Sequence, residues 1–69
     1  MTPETFKQAR HKLGLTLSQA AHVLGYDGTH AAQQVRRMEN GERAIRGAQA
    51  RLMWAYLEGY RPEDWPVSK

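Results

Sequence analysis

The chain has 69 residues, no cysteine and a net charge of +3, which makes it one domain near the lower size limit for folding on its own hydrophobic core. Neither disulfides nor Cys-ligated zinc can staple it, so the expected extra stabiliser is a second copy of the same chain. No apolar run approaches the roughly 20 residues of a membrane span. Residues 1–10 lack the apolar core of a signal peptide, which predicts a cytoplasmic protein with no membrane partner.

The charge is unevenly spread. Residues 29–51 carry Arg36, Arg37, Arg43, Arg46 and Arg51 against Glu39 and Glu42, whereas residues 52–69 carry Arg61 and Lys69 against Glu58, Glu63 and Asp64. A basic segment centred on one helix is the electrostatic footprint of a phosphate-binding face.

The first predicted helix starts at Thr2-Pro3, where Thr caps and Pro tolerates a position whose N–H has no helical partner. It runs to about Leu13, with Phe6, Ala9, Arg10 and Leu13 on one stripe, and Gly14 ends it. The second runs from about Leu17 to Leu24. Thr16 and Gln19 form a capping box at its start, and Gly25 suits its end. Tyr26-Asp27-Gly28 reads as a turn, after which either Asp27 or Thr29 caps a third helix reaching about Glu39. Asn40-Gly41 stops that helix, and residues 41–47 form a loop with Ile45 tucked into the core. A fourth helix runs from about Ala48 to Glu58 and ends at Gly59; Pro62 and Pro66 make the tail irregular. No strand-period alternation and no repeat is present. The fold class is all-α, a bundle of four to five helices, with residues 1–58 as the domain and residues 59–69 as a tail.

On the third helix, at about 100° per residue, Val35 and Met38 share a direction with Ala31 and Ala32 nearby. The opposite side collects Thr29, His30, Gln33 and Arg37, with Arg36 on the flank. Gln pairs bidentately with adenine and Arg with guanine in a DNA major groove, so Gln33 and Arg37 are the expected base readers. Arg36, Thr29 and His30 are placed for bases or phosphates. The competing reading is a merely solvated Arg/Gln face; the capped, glycine-terminated helix just before it favours the helix-turn-helix.

The pattern Arg10-x-x-Leu13-Gly14-Leu15-Thr16, then Ala20-Ala21, Gly25 and Glu39-Asn40-Gly41, resembles the Cro/C1-type (XRE family) helix-turn-helix repressors over about residues 3–57. The resemblance implies a lambda repressor-like DNA-binding domain and a buried Arg10–Glu39 ion pair. It also implies that the loop after Asn40-Gly41 follows the phosphate backbone, with Arg43, Arg46 and Asn40 as contacts. Two departures stand out. Family members often carry Gln where this chain has Leu17, so Ser18 or Gln19 would have to brace the backbone instead. The segment Tyr26–Thr29 also lengthens the turn by about four residues, so that either the turn is a true loop or the third helix begins a turn earlier.

The fourth helix carries more large apolar surface than one side can bury. Leu52, Met53 and Tyr56 suit the core, which leaves Trp54, Leu57 and Tyr60, with Trp65 beyond. Aromatics are enriched at interface hot spots, so a homodimer through Trp54, Leu57, Tyr60 and Trp65 is expected, the alternative for Trp65 being its own chain's core. Two copies would read an inverted repeat with half-sites about 34 Å apart, a palindromic operator in double-stranded DNA. By resemblance, a dimeric autorepressor of the phage Cro-like or anti-CRISPR-associated kind is the leading function. An antitoxin, or another protein–protein module gripping a toxin or other protein with the aromatic helix, is the alternative.

Nothing points to an enzyme. His11, His22 and His30 lie on different helices without ligand spacing, and no cysteine joins them. Glu63-Asp64 lacks a partner carboxylate, and Gly25–Gly28 lacks the strand and Lys-Ser/Thr of a phosphate loop. No catalytic residue, cofactor or metal is expected.

Overall fold

A computed structural model describes residues 1–63 and residue 65; what the sequence suggests for Asp64, Pro66 and Lys69 lies outside these residues. The described residues form four α-helices and no strand: α1 (Pro3–Lys12), α2 (Leu17–Val23), α3 (Ala31–Glu39) and α4 (Gly47–Leu57). The boundaries follow from local chemistry. Thr2 Oγ1 accepts from the Thr5 amide at 3.1 Å, with Pro3 at the first helical position. At α2 the capping box is reciprocal: the Gln19 amide donates to Thr16 Oγ1 at 3.1 Å, and the Thr16 amide to Gln19 Oε1 at 2.9 Å.

The end of α2 sets up everything that follows. Gly25 takes φ +91, a left-handed conformation that costs a Cβ-bearing residue energy. It lets the amides of Gly25 and Tyr26 turn back onto the carbonyls of His22 and Ala21, at 3.0 and 2.9 Å. This is the paired C-terminal cap that satisfies helix-end carbonyls.

The expected cap of the third helix is not used. Neither Asp27 nor Thr29 caps α3; its N-cap is His30, which makes no side-chain cap bond. The lengthened turn is therefore a true loop over residues 24–30, and the helix does not begin a turn earlier. A second left-handed glycine, Gly28 at φ +95, re-aims the chain so that Ala31 bonds back to the Gly28 carbonyl at 3.3 Å.

The core is continuous across all four helices. Phe6, Ala9, Leu15, Ala20, Ala21, Val23, Leu24, Val35, Met38, Met53 and Tyr56 are buried, and Ile45 packs against them from the loop. α2 packs most extensively on α3, while α1 bridges α3 and α4. A radius of gyration of 10.8 Å matches the roughly 11 Å of a close-packed chain of this length. The buried Tyr56 hydroxyl donates to the carbonyl of Val23, joining α4 to the last residue of α2, where helix carbonyls lack intrahelical partners. No helix among the described residues is long and apolar enough to cross a membrane.

Candidate nucleic-acid interface

The α3 surface divides sharply. Val35 and Met38 are wholly buried, whereas Gln33, Arg36 and Arg37 are exposed. Because residues three and four apart neighbour one another on a helix, Gln33, Arg36 and Arg37 form one polar, cationic stripe. Thr29 and His30, also exposed, end the loop immediately before α3. No side chain caps this end; the Ala31 amide is taken by the Gly28 carbonyl, which leaves the amides of Ala32 and Gln33 as the first-turn donors for an acceptor such as a phosphate oxygen.

Beside this stripe, Leu17 at the start of α2 approaches Ala32, Gln33 and Arg36, and the four residues enclose an open notch of about 260 Å³. This juxtaposition carries no signal in the sequence, where Leu17 stands out only as the absence of a glutamine.

Of the expected phosphate contacts, Ser18, Asn40 and Arg46 are exposed. Gln19 is half-buried and its Oε1 belongs to the capping box, which leaves its amide NH₂ as the group able to donate outward. Arg43 departs from the expectation of a surface-lying loop arginine. It is half-buried, its Nη1 donates to Gln34 Oε1 at 2.8 Å, and its guanidinium sits 5.8 Å from the Tyr26 ring centroid. Its Nε is buried without a protein partner. The physical reason is that the Gln34 amide oxygen and the Tyr26 face hold the guanidinium against the protein. Arg43 thus ties the 24–30 loop to α3 and to the segment after it, and Arg46 is the exposed loop cation.

Arg10 and Glu39, 29 residues apart in sequence, meet as a bidentate pair. Nε donates to Oε2 at 2.5 Å and Nη2 to Oε1 at 3.1 Å, with side chains only 12% and 5% exposed. The remaining nitrogen, Nη1, donates to the Leu15 carbonyl at 3.0 Å. One guanidinium therefore fixes α1, the loop that follows it and the C-terminal end of α3, which holds the polar stripe in a set orientation.

The four expected dimer residues divide. Trp54 is 50% and Tyr60 55% exposed, large aromatic surfaces left to solvent. Leu57 is half-buried and, with Trp54, lines a shallow groove against Thr5, Ala9 and Lys12 of α1. Trp65 belongs to its own chain: its ring lies 4.8 Å from that of Tyr56 and under the Arg61 guanidinium, 4.5 Å away. The alternative of folding back onto the core is the arrangement seen: Trp65, half-buried, covers an edge of the core at Tyr56. The described residues contain no cluster of metal-ligating side chains.

Searches against family models, curated proteins and solved structures return no match to this chain.

Proposed function

We propose that this chain is a sequence-specific double-stranded DNA-binding regulator, in which α2 and α3 act as a helix-turn-helix with a lengthened turn and α3 enters the major groove. The observation that carries the reading is the two-sidedness of α3, with Gln33, Arg36 and Arg37 exposed opposite the buried Val35 and Met38. Those are the side chains whose donors and acceptors match adenine and guanine edges. The exposed Arg46, Ser18 and Asn40 serve as backbone contacts, and each phosphate neutralised adds a counterion-release term to affinity. The chain works as a homodimer joined through Trp54 and Tyr60, binding an inverted repeat over a promoter and excluding polymerase. It acts as an autorepressor of a phage or other mobile element, in keeping with the Cro/C1-type resemblance, from within the cytoplasm.

A mobility shift on the DNA upstream of its own gene, with scrambled competitor, tests this. Tight binding by wild type, weakened and less selective in both Gln33→Ala and Arg37→Ala, is expected. Equal, weak binding to both DNAs would overturn the reading.

The exposed Trp54 and Tyr60 favour a second reading, a protein–protein module or antitoxin whose aromatic face grips another protein such as a toxin. That reading expects capture of a neighbouring gene's product and no preference among DNA sequences.

A further inference from the structure

The notch between α2 and α3 has walls unlike the rest of the polar face. Leu17 and Ala32 give it an apolar floor, while Gln33 and Arg36 supply hydrogen-bonding groups at its rim. Leu17 is half-exposed at the first position of α2, although the adjoining Thr16 and Ser18 are polar and exposed. At about 260 Å³ and open to solvent, the notch falls below the roughly 300–1,000 Å³ of small-molecule sites. No acidic side chain lines it, so nothing there opposes an electronegative ligand edge.

One object combines an apolar knob with acceptor atoms on the same edge: a thymine in the major groove, with its C5 methyl beside O4 and the N7 and O6 acceptors of an adjacent guanine. We propose that Leu17 and Ala32 seat the methyl group of one thymine in each operator half-site, while Arg36 donates to a neighbouring guanine and Gln33 to the paired adenine. Leu17 is then a specificity-determining residue contributed by the helix that precedes the reading helix. The assignment rests on α3 being the groove-reading element.

The experiment begins with selection of a binding site from random duplex DNA by the full-length protein. Each thymine of that site is then replaced singly by deoxyuridine, which keeps Watson–Crick pairing and removes only the methyl group. One thymine per half-site should be sensitive. Its demethylation should weaken binding about fourfold, the worth of one buried methyl group, and both half-sites together roughly 15-fold. The penalty should disappear in Leu17→Gln and in Ala32→Asn. The second variant lies at a half-buried position near the helix start, and circular dichroism checks that both are folded.

Three results would overturn the proposal, and they are distinguishable. A selected site bound specifically but insensitive to every deoxyuridine removes the notch while leaving the repressor reading in place. A sensitive thymine with an unchanged penalty in both variants moves methyl readout elsewhere on the protein. Failure to select any site overturns the notch and the groove-reading helix together.

Discussion

Replacing Glu39 by alanine isolates what holds α3 at its angle. In the folded chain the carboxylate takes two hydrogen bonds from Arg10, and only 5% of its side chain and 12% of Arg10's remain exposed. Removing it leaves the guanidinium in place with the Leu15 carbonyl and His11 as its remaining neighbours. Stranding one member of a buried pair costs about 3–5 kcal/mol; the residual exposure of Arg10 puts this case near 3 kcal/mol. A domain of this size has only about 3–10 kcal/mol of stability to lose. At roughly 4–8 °C per kcal/mol, the melting temperature followed by circular dichroism should fall by about 12–24 °C. The combined change Arg10→Met with Glu39→Leu should be less destabilised than Glu39→Ala alone, because it removes the stranded charge and keeps apolar volume. A melting temperature for Glu39→Ala within about 3 °C of wild type would mean instead that the pair acts as a solvated surface contact worth under about 1 kcal/mol.

Tyr56→Phe keeps a ring that is nearly fully buried but takes the donor away from the Val23 carbonyl, and should lower stability to urea by about 1–3 kcal/mol; an unchanged midpoint would mean that the bond contributes nothing net. Gln33→Ala and Arg46→Ala should separate by kind of defect. The first should relax preference at one base position, at a cost of about 1–3 kcal/mol. The second should weaken binding to every sequence and flatten the log–log salt dependence by about 0.9 per lost contact; equal sequence relaxation by both would contradict the division of roles. Trp54→Arg should leave the helical signal intact, since half of that side chain is already in solvent, yet convert a sedimenting dimer into a monomer at micromolar concentration. Two monomers would refute the proposed dimer, and two dimers would place its contact elsewhere.

Much of the helical framework is determined by the sequence alone, because helix ends are settled by atoms within about six residues of one another. Thr2-Pro3, the Thr16–Gln19 box and the glycine after α2 need no distant partner, and the stripe of Val35 and Met38 follows from helical period. The same logic fails where local chemistry offers several equivalent choices. Asp27 and Thr29 are both good caps, yet the N-cap of α3 is His30 and neither is used; Ala31 packs against the core where α3 lies on α2. The charge of Arg43 is legible; its direction is not, because Tyr26 and Gln34 reach it only after the loop closes. Arg10 and Glu39 show as edge positions of two stripes, and the family resemblance suggests their pairing, but two fork-like hydrogen bonds across 29 residues exist only once α1 and α3 are packed. Trp65 on Tyr56, and Leu17 against Ala32, were decided by tertiary structure outright. Apolar side chains carry no directional code, so where each one finds its partner depends on how the helices close around the core.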